Sequence, residues 1–174
     1  MQIKIRRFRP SDAEECGKIA VENVIRLFFD VQAPVATWDY IEHYFPSGFL
    51  ESSKENKRGR EVWVAQNAKT KKIIGYVRFE KAKGKRYSGH IGNLFVKYGL
   101  RGKGVGKKLI KHAEERIKKK FNANKIQLFS VCIKPSLSFY KNQGYTTIGK
   151  IKRVGPKSLK KCEKTLAIKM EKKI

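Results

Sequence analysis

A turn of three glycines and two cations constrains this chain more than any other stretch of it. The turn reads Arg101-Gly102-Lys103-Gly104-Val105-Gly106, and it follows a strand-like run that ends at Val96 and opens a helix-like run. Glycines let backbone N–H groups approach an anion closely, and the first turn of a helix leaves its N–H groups unpaired and partly positive. A solvated glycine loop is the alternative, but the order of strand, turn and helix favours a pyrophosphate site.

The spacing of these glycines excludes two common phosphate-binding motifs. A P-loop needs Ser or Thr after the lysine that follows its last glycine, whereas Gly106 is followed by two lysines, so the magnesium-binding hydroxyl is missing. A dinucleotide-binding motif needs a further glycine at a fixed spacing, and lysine or leucine stands there. The pattern that remains is Arg-x-x-Gly-x-Gly. It resembles the GNAT superfamily of N-acetyltransferases, whose acetyl-CoA pyrophosphate loop reads (Arg or Gln)-x-x-Gly-x-(Gly or Ala).

A second stretch is similar to the same family. Residues 136–145 read Ser-Leu-Ser-Phe-Tyr-Lys-Asn-Gln-Gly-Tyr, which resembles the GNAT segment (Ala or Ser)-x-x-Phe-Tyr-x-x-x-Gly-(Phe or Tyr). The chain departs from the family pattern at Ile133, where many members have Asn, and at Tyr98 and Leu100, where many have Pro and Tyr. Those departures leave the anion-binding turn itself unchanged.

The resemblance implies an α/β (α+β) fold in a single N-acetyltransferase domain over residues 1–174. A mixed, mostly antiparallel central sheet would carry helices on both faces, and the strands at 90–96 and 125–133 would splay apart with CoA between them. The pantetheine amides would pair with backbone groups of one strand, as an added strand pairs with a sheet edge. The residues implied to bind acetyl-CoA are Phe95, Val96, Arg101, Gly102, Lys103, Gly104, Val105, Gly106 and Lys107.

The resemblance also implies catalytic roles. Tyr140 matches the family tyrosine that protonates the CoA sulfur, and a packing aromatic is the alternative. His90 stands where some members carry a base, and its unperturbed pKa of about 6.5 suits it to accept a proton near neutral pH. A half-buried structural histidine is the alternative for His90. Glu80 is a second candidate base, or else an exposed charge at a strand end.

The acceptor implied is a primary amine, with a protein or peptide first and a small amine second. At pH 7 an α-amine of pKa about 8 is roughly 10% neutral, whereas a lysine of pKa about 10.4 is below about 0.1% neutral, so an α-amino acceptor needs the weaker base. A catalytically inactive CoA-binding or RNA-binding module of the same fold is the rival interpretation.

The charge balance points beyond the coenzyme. Lys and Arg number 41 against 15 Asp and Glu, which gives a net charge of +26. Such a field attracts CoA, but it exceeds what one CoA needs, so nucleic acid, the ribosome or an acidic peptide is a candidate partner. The alternative explanation of the charge is a lysine-rich proteome, without a polyanionic partner.

Cysteine, histidine and apolar patterning predict what the chain lacks. The three cysteines are odd in number and form no Cys-x-x-Cys pair, so reduced thiols are expected. The three histidines are far apart, so no metal site is expected. No apolar segment approaches the roughly 18 residues of a membrane span, and the first residues lack a signal-like run. We therefore expect a cytoplasmic monomer or homodimer without a membrane anchor.

Periodicity predicts the remaining elements. A capping box of Ser11 and Glu14 is expected to open the first helix, and Thr37 to open a second whose aromatics Trp38, Tyr40 and Tyr44 are core or line the acceptor cleft. Predicted helices are 11–29, 37–45, 104–122 and 135–142, and predicted strands are 3–8, 62–66, 73–79, 90–96, 126–133, 145–151 and 165–170. Residues 50–60, 81–87 and 152–164 are predicted loops, and the continuous apolar run at 126–133 predicts a central strand covered on both faces.

Overall fold

The computed structural model describes residues 1–30, 48, 50–51, 59–83, 88–154 and 165–174. Within these ranges seven strands form one sheet in the order β1-β2-β3-β4-β5-β7-β6. The strands are β1 (Ile3–Arg7), β2 (Glu61–Asn67), β3 (Ile73–Lys81), β4 (Ser88–Val96), β5 (Lys125–Val131), β6 (Thr146–Val154) and β7 (Thr165–Lys173). Only β4 and β5 run parallel among the described neighbours. The expected mixed, mostly antiparallel sheet is therefore confirmed.

Three longer helices accompany the sheet in the described ranges: α1 (Ala13–Asp30), α2 (Val105–Phe121) and α3 (Lys134–Asn142). On one face α1 packs through Cys16 and Ala20 against β2 and β3. On the other face α2 packs through Leu109 and Ile117 against the middle of the sheet. Helices therefore flank both faces, as predicted.

The sequence of α2 explains where that helix begins, which face it buries and where it ends. Its buried positions are Val105, Leu109, Ile110, Ala113 and Ile117, at the three- and four-residue spacing of one helical face. Gly104 precedes the helix with φ of 80°, a conformation that glycine adopts without strain. At the other end Asn122 adopts a left-handed φ of 48°, and asparagine tolerates this helix-terminating conformation.

The start of α1 differs from the prediction. The capping box of Ser11 and Glu14 is wrong, because a short 3₁₀ turn over Pro10–Asp12 precedes the helix. Asp12 accepts a hydrogen bond from the backbone N–H of Arg9 at 2.7 Å, and both of its oxygens pair with Arg6 at 2.7 Å. Asp12 therefore attaches the helix start to β1, which the Ser-x-x-Glu spacing does not reveal.

The parallel strands β4 and β5 pair only at their first residues. Their register runs from Ser88 opposite Lys125 to Ile91 opposite Leu128, after which both strands continue unpaired with each other. Gly92 has no partner on β3, and this bulge bends β4 where the two strands part. The predicted divergence of these strands is thereby present, with an opening between the end of β4 and the end of β5.

The opening explains an error about β5. Phe129 is 44% exposed, so the prediction that both faces of the whole strand are covered is wrong. The apolar run reports burial at Ile126 and Leu128, where β4 still pairs with β5, but Phe129 lies beyond the last pair. A run of apolar residues therefore marks this strand without locating the point at which its neighbour departs.

Several predicted boundaries also change. Residues 152–154, predicted as loop, belong to β6, and β3 extends to Lys81. Leu50 and Glu51, also predicted as loop, are helical. The helix predicted at 37–45, its three aromatics and Cys162 lie outside the described residues.

The cysteines, the potential metal ligands and the helices of the described residues bear on the remaining sequence patterns. Cys16 and Cys132 are free thiols, and no group of three or more potential metal ligands comes together in the ranges that the structure covers. Among the helices described, none combines the length and apolar character that crossing a bilayer requires.

Candidate functional site

The end of β4 presents backbone groups to the opening. The N–H of Lys97 donates to the carbonyl of Ile74 on β3 at 3.0 Å, and antiparallel pairing alternates hydrogen-bonded and non-hydrogen-bonded pairs from there. The N–H and C=O of Leu94 and Val96 therefore face away from β3, toward β5, while those of Phe95 face β3. Leu94 and Val96, and not Phe95, therefore present backbone groups to the opening, and the coenzyme contacts expected at Phe95 and Val96 stay predictions.

The glycine turn has the geometry of an anion site. Gly102 and Gly104 have φ of 76° and 80°, and a side chain at either would meet no atom within 4 Å, so the turn lies open. The first helical hydrogen bond joins the N–H of Lys108 to the carbonyl of Gly104, which leaves the N–H groups of residues 105–107 without a helical acceptor. Lys103 and Lys107 are exposed beside them. A pyrophosphate fits this combination of donors and cations.

Gly106 has a different role from its two neighbours. A Cβ at Gly106 would lie 3.2 Å from two ring atoms of Phe139, and its φ is not positive. The third glycine therefore lets Phe139 of α3 pack against the first turn of α2. This contact connects the glycine turn to the helix that carries Tyr140.

The side chain of Arg101 contacts α1. Its Nη2 donates a hydrogen bond to Oδ1 of Asn23 on α1, and its guanidinium lies 5.1 Å from the ring centre of Tyr98. The prediction that Arg101 contributes to coenzyme binding stays a prediction, but its side chain is engaged with α1. The sequence analysis did not predict a role for Asn23. A lone asparagine between Ile19 and Val24, on an otherwise apolar helix face, could have indicated one.

Tyr140 lies on α3 among other aromatic rings. Its ring centre is 5.1 Å from that of Phe139 and 5.8 Å from that of Tyr145. Part of the side chain is accessible, but the protein around the phenol desolvates it and raises the pKa of Tyr140 well above its ordinary value. No hydrogen bond of this hydroxyl occurs within the described part of the chain. The neutral phenol is therefore the form present near neutral pH, and it is a proton donor.

Tyr145 provides an informative contrast. Burial, together with the carboxylate of Glu114, raises the pKa of Tyr145, and its hydroxyl donates to Glu114 Oε1 at 3.1 Å. Lys172 holds the same carboxylate through contacts of 2.9 and 2.8 Å. The hydroxyl of Tyr145 is thus committed to a structural network, whereas that of Tyr140 is not.

His90 lies in a polar row that crosses four strands. The register places Glu80 opposite His90, His90 opposite Gln127, and Gln127 opposite Glu171. A side chain at Gly89 would collide with Ile117 of α2, so His90, one residue further, faces the α1 side of the sheet. The row lies one residue before the point where β4 and β5 part. His90 is half-buried there.

The carboxylates of this row are held in place. Glu80 is 8% exposed and pairs with Arg60 at 3.2 Å, so its interpretation as an exposed charge at a strand end is wrong. Gln127 donates through Nε2 to Glu171 Oε2 at 2.5 Å. His90 and Tyr140 approach the opening from opposite faces of the sheet, because Tyr140 packs with the α2 core and His90 faces the α1 side.

Comparison with known proteins decides the family. The family model described as an acetyltransferase (GNAT) domain matches residues 58–147, just over half of the 174-residue chain. This protein belongs to the GNAT acetyltransferase family. The expectations of a GNAT member with acetyl-CoA as co-substrate are therefore confirmed. No curated protein matches the sequence of this acetyltransferase at a significant level.

Solved structures share the fold of this GNAT protein at low sequence identity. PaiA N-acetyltransferase from Thermoplasma acidophilum, in complex with coenzyme A, superposes with a TM-score of 0.73 at 20% identity over 100% of both chains. Ribosomal-protein-alanine N-acetyltransferase from Brucella melitensis gives 0.69 at 21% identity over 98% of this chain and 99% of its own. Ribosomal-protein-S5-alanine acetyltransferase from Vibrio fischeri gives 0.72 at 16% identity over 99% and 93%.

Proposed function

We propose that this protein is an N-acetyltransferase that transfers the acetyl group of acetyl-CoA to a primary amine of a protein or peptide, an α-amino group before a lysine. The observation that carries the proposal is the opening between β4 and β5, which begins beside His90 and ends at the anion-binding turn. The proposed protein is one domain over residues 1–174 and works in the cytoplasm, where its free thiols Cys16 and Cys132 stay reduced.

The backbone of β4 and of the glycine turn supports the proposed binding of the coenzyme. The pyrophosphate occupies the turn, held by the N–H groups of residues 105–107 and by Lys103 and Lys107. The pantetheine arm runs along β4 and pairs with Leu94 and Val96, which face the opening. The N–H of Val96 is the proposed donor that polarises the thioester carbonyl. Acetyl-CoA supplies the activated acyl group, and the protein orients it.

The proposed reaction needs one base and one acid. His90 first takes a proton from the acceptor amine, directly or through water. The neutral amine then attacks the carbonyl carbon, so that a C–N bond forms and the C–S bond breaks. Tyr140 gives its proton to the departing thiolate. The nitrogen loses its second proton as the amide forms, and this proton restores the phenol of Tyr140 directly or through water. Glu80 is the less suitable base, because Arg60 already pairs with its carboxylate.

Two observations support a protein acceptor. Two structural neighbours are named for alanine of ribosomal proteins. The net charge of +26 repels small cationic amines at long range, but it attracts larger partners that carry negative charge.

A second candidate is a CoA-binding module, or an RNA-binding or ribosome-binding module, that has lost catalysis. The lysines of α2 favour this candidate. The outward side of this helix exposes Lys107, Lys108, Lys111, Lys118 and Lys119. Glu114 on the same helix is turned inward to Lys172. Glu115 is exposed beside these lysines, but the lysines outnumber it, so the exposed side is strongly basic, as a surface for phosphates would be.

A thiol-release assay over a panel of amines separates the two candidates. We expect acetyl-CoA turnover with peptides that have a free N-terminus, and turnover at least about tenfold slower with N-terminally blocked lysine peptides at pH 7, because fewer of their amines are neutral. Blocked peptides without lysine are the control. RNA binding that weakens steeply with salt, together with no thiol release from any amine, would support the module instead.

A further inference from the structure

One buried asparagine joins three parts of the coenzyme side of the molecule. Asn23 is 5% exposed in the middle of α1. Its Nδ2 donates to the carbonyl of Ile19 at 2.7 Å and to the carbonyl of Val96 at 3.1 Å. Its Oδ1 accepts a hydrogen bond from Arg101. A single amide side chain therefore bridges α1, the last residue of β4 and the first residue of the glycine turn.

The bonds of Asn23 exceed what α1 itself needs. Burying an amide on an apolar helix face is costly unless its polar atoms are paired, and an apolar residue would pack there without that requirement. The bond to Ile19 lies within the helix and creates no link between elements. The bonds to Val96 and Arg101 span 73 and 78 residues of sequence, so they hold separate elements together.

The position of Val96 gives this link a functional meaning. The carbonyl of Val96 faces the opening and accepts the hydrogen bond from Asn23. This bond fixes the orientation of the peptide group at the end of β4. The coenzyme arm then meets the N–H of Val96 and the backbone groups of Leu94 in a set geometry. Misplacing a reacting group by about 1 Å is enough to cost about 100-fold in rate.

The same link fixes the start of the turn. The guanidinium of Arg101 donates to Asn23. The ring centre of Tyr98 lies 3.9 Å from the guanidinium of Arg26 and 5.1 Å from that of Arg101. Arg26 and Asn23 lie one turn apart on α1. Both ends of the 96–101 segment are thus anchored to that helix.

We propose that Asn23 is a positioning residue for acetyl-CoA, which sets the last peptide group of β4 and the first residue of the pyrophosphate turn at the same time. The inference rests on the coenzyme site of the proposed function. In this proposal Arg101 acts through its hydrogen bond to Asn23. The sequence motif alone would instead suggest that the guanidinium of Arg101 contacts the phosphates directly.

A double-mutant cycle on coenzyme binding tests the proposal. The probe is CoA, titrated calorimetrically into wild type, Asn23→Ala, Arg101→Ala and the double variant. We expect each single substitution to raise the Kd for CoA about tenfold. The Kd of the double variant should lie within about twofold of that of the weaker-binding single variant, because both substitutions remove the same link. Asn124→Ala, an exposed asparagine beyond the end of α2, is the matched control and should bind like wild type.

Two outcomes of that cycle contradict the proposal. Wild-type affinity in Asn23→Ala would remove the positioning role, and losses that multiply to about 100-fold in the double variant would make Arg101 an independent phosphate ligand. If wild type itself does not bind CoA, the proposed function fails, whereas wild-type binding with an unaffected Asn23→Ala rejects the positioning role alone. If Asn23→Ala does not fold, Asn23→Asp takes its place, since it keeps the acceptor for Arg101 but cannot donate to Val96.

A truncated substrate separates positioning from phosphate contact. Acetyl-pantetheine lacks the pyrophosphate, so a direct contact between Arg101 and phosphate would make Arg101→Ala equal to wild type with this substrate. A positioning role predicts that Asn23→Ala and Arg101→Ala each still lower kcat/KM for acetyl-pantetheine, by about fivefold or more, because the Val96 peptide group is disturbed. An unchanged kcat/KM in both variants would overturn the proposal.

Discussion

Replacing Tyr140 with phenylalanine is expected to lower kcat by about 100-fold or more while the Kd for CoA changes by less than about twofold. General acid catalysis contributes about 10² to 10⁴ in rate, and the departing thiolate would lose its proton donor. The phenol makes no hydrogen bond within the described residues, and its ring packs against Phe139 and Tyr145. Phenylalanine keeps that packing, so steady-state kinetics and calorimetry on one preparation separate chemistry from binding.

Tyr145→Phe is the matched control for Tyr140→Phe. This substitution also removes a tyrosine hydroxyl, five residues further along the chain. The hydroxyl of Tyr145, however, donates to Glu114 in a structural network. We expect Tyr145→Phe to lose about 1 kcal/mol of stability and to keep kcat. If Tyr140→Phe retains the wild-type kcat, or if both variants lose activity equally, Tyr140 is a packing aromatic and water protonates the thiolate.

Replacing Glu61 with glutamine is expected to destabilise the protein by about 3 kcal/mol at pH 7, as measured by urea unfolding. Glu61 on β2 is 3% exposed, and it accepts hydrogen bonds from Trp63 at 2.8 Å and Arg116 at 3.1 Å, with Lys120 at 2.9 Å. Burial on its own raises the pKa of this carboxyl, but these donors outweigh it and lower the pKa to about 2. The substitution leaves the donors with a neutral partner.

The stability contributed by Glu61 depends on pH with a definite sign. Its pKa is lower in the folded chain than the ordinary value of 4.5, so the contribution is complete above about pH 4.5 and is lost as pH falls toward 2. We expect about half of the difference between wild type and Glu61→Gln to remain at pH 3. Glu115→Gln, on the exposed side of α2, should stay within about 0.5 kcal/mol of wild type at both pH values. A pH-independent difference would contradict this account.

Regular periodicity made much of the fold predictable. The four-residue spacing of Val105, Leu109, Ala113 and Ile117 marks both the length of α2 and its buried face. The glycine turn and the Phe-Tyr segment were predictable because a few residue types can occupy those conformations and contacts. Features of this kind are set by residues that lie close together in the chain, so the sequence is sufficient to predict them.

The features that sequence reasoning missed depend on residues distant in sequence. Phe129 is exposed because β4 departs, and Arg101 turns to α1 because Asn23 lies 78 residues earlier with a free acceptor oxygen. Leu94, and not Phe95, turns its backbone groups away from β3, and this orientation follows from the register between β3 and β4. Glu80 was predicted as an exposed charge because its partner Arg60 lies 20 residues earlier, just before β2.

Thermal unfolding in the presence of acetyl-CoA tests the central claim, that the glycine turn and the β4 edge bind this thioester carrier. A ligand at 100 times its Kd adds about 2.7 kcal/mol to the stability of the folded state, which for a chain of this size raises Tm by about 5 to 10 °C. We predict a rise of that size that saturates with acetyl-CoA concentration. A Tm that stays constant up to millimolar acetyl-CoA would contradict the assignment of the site.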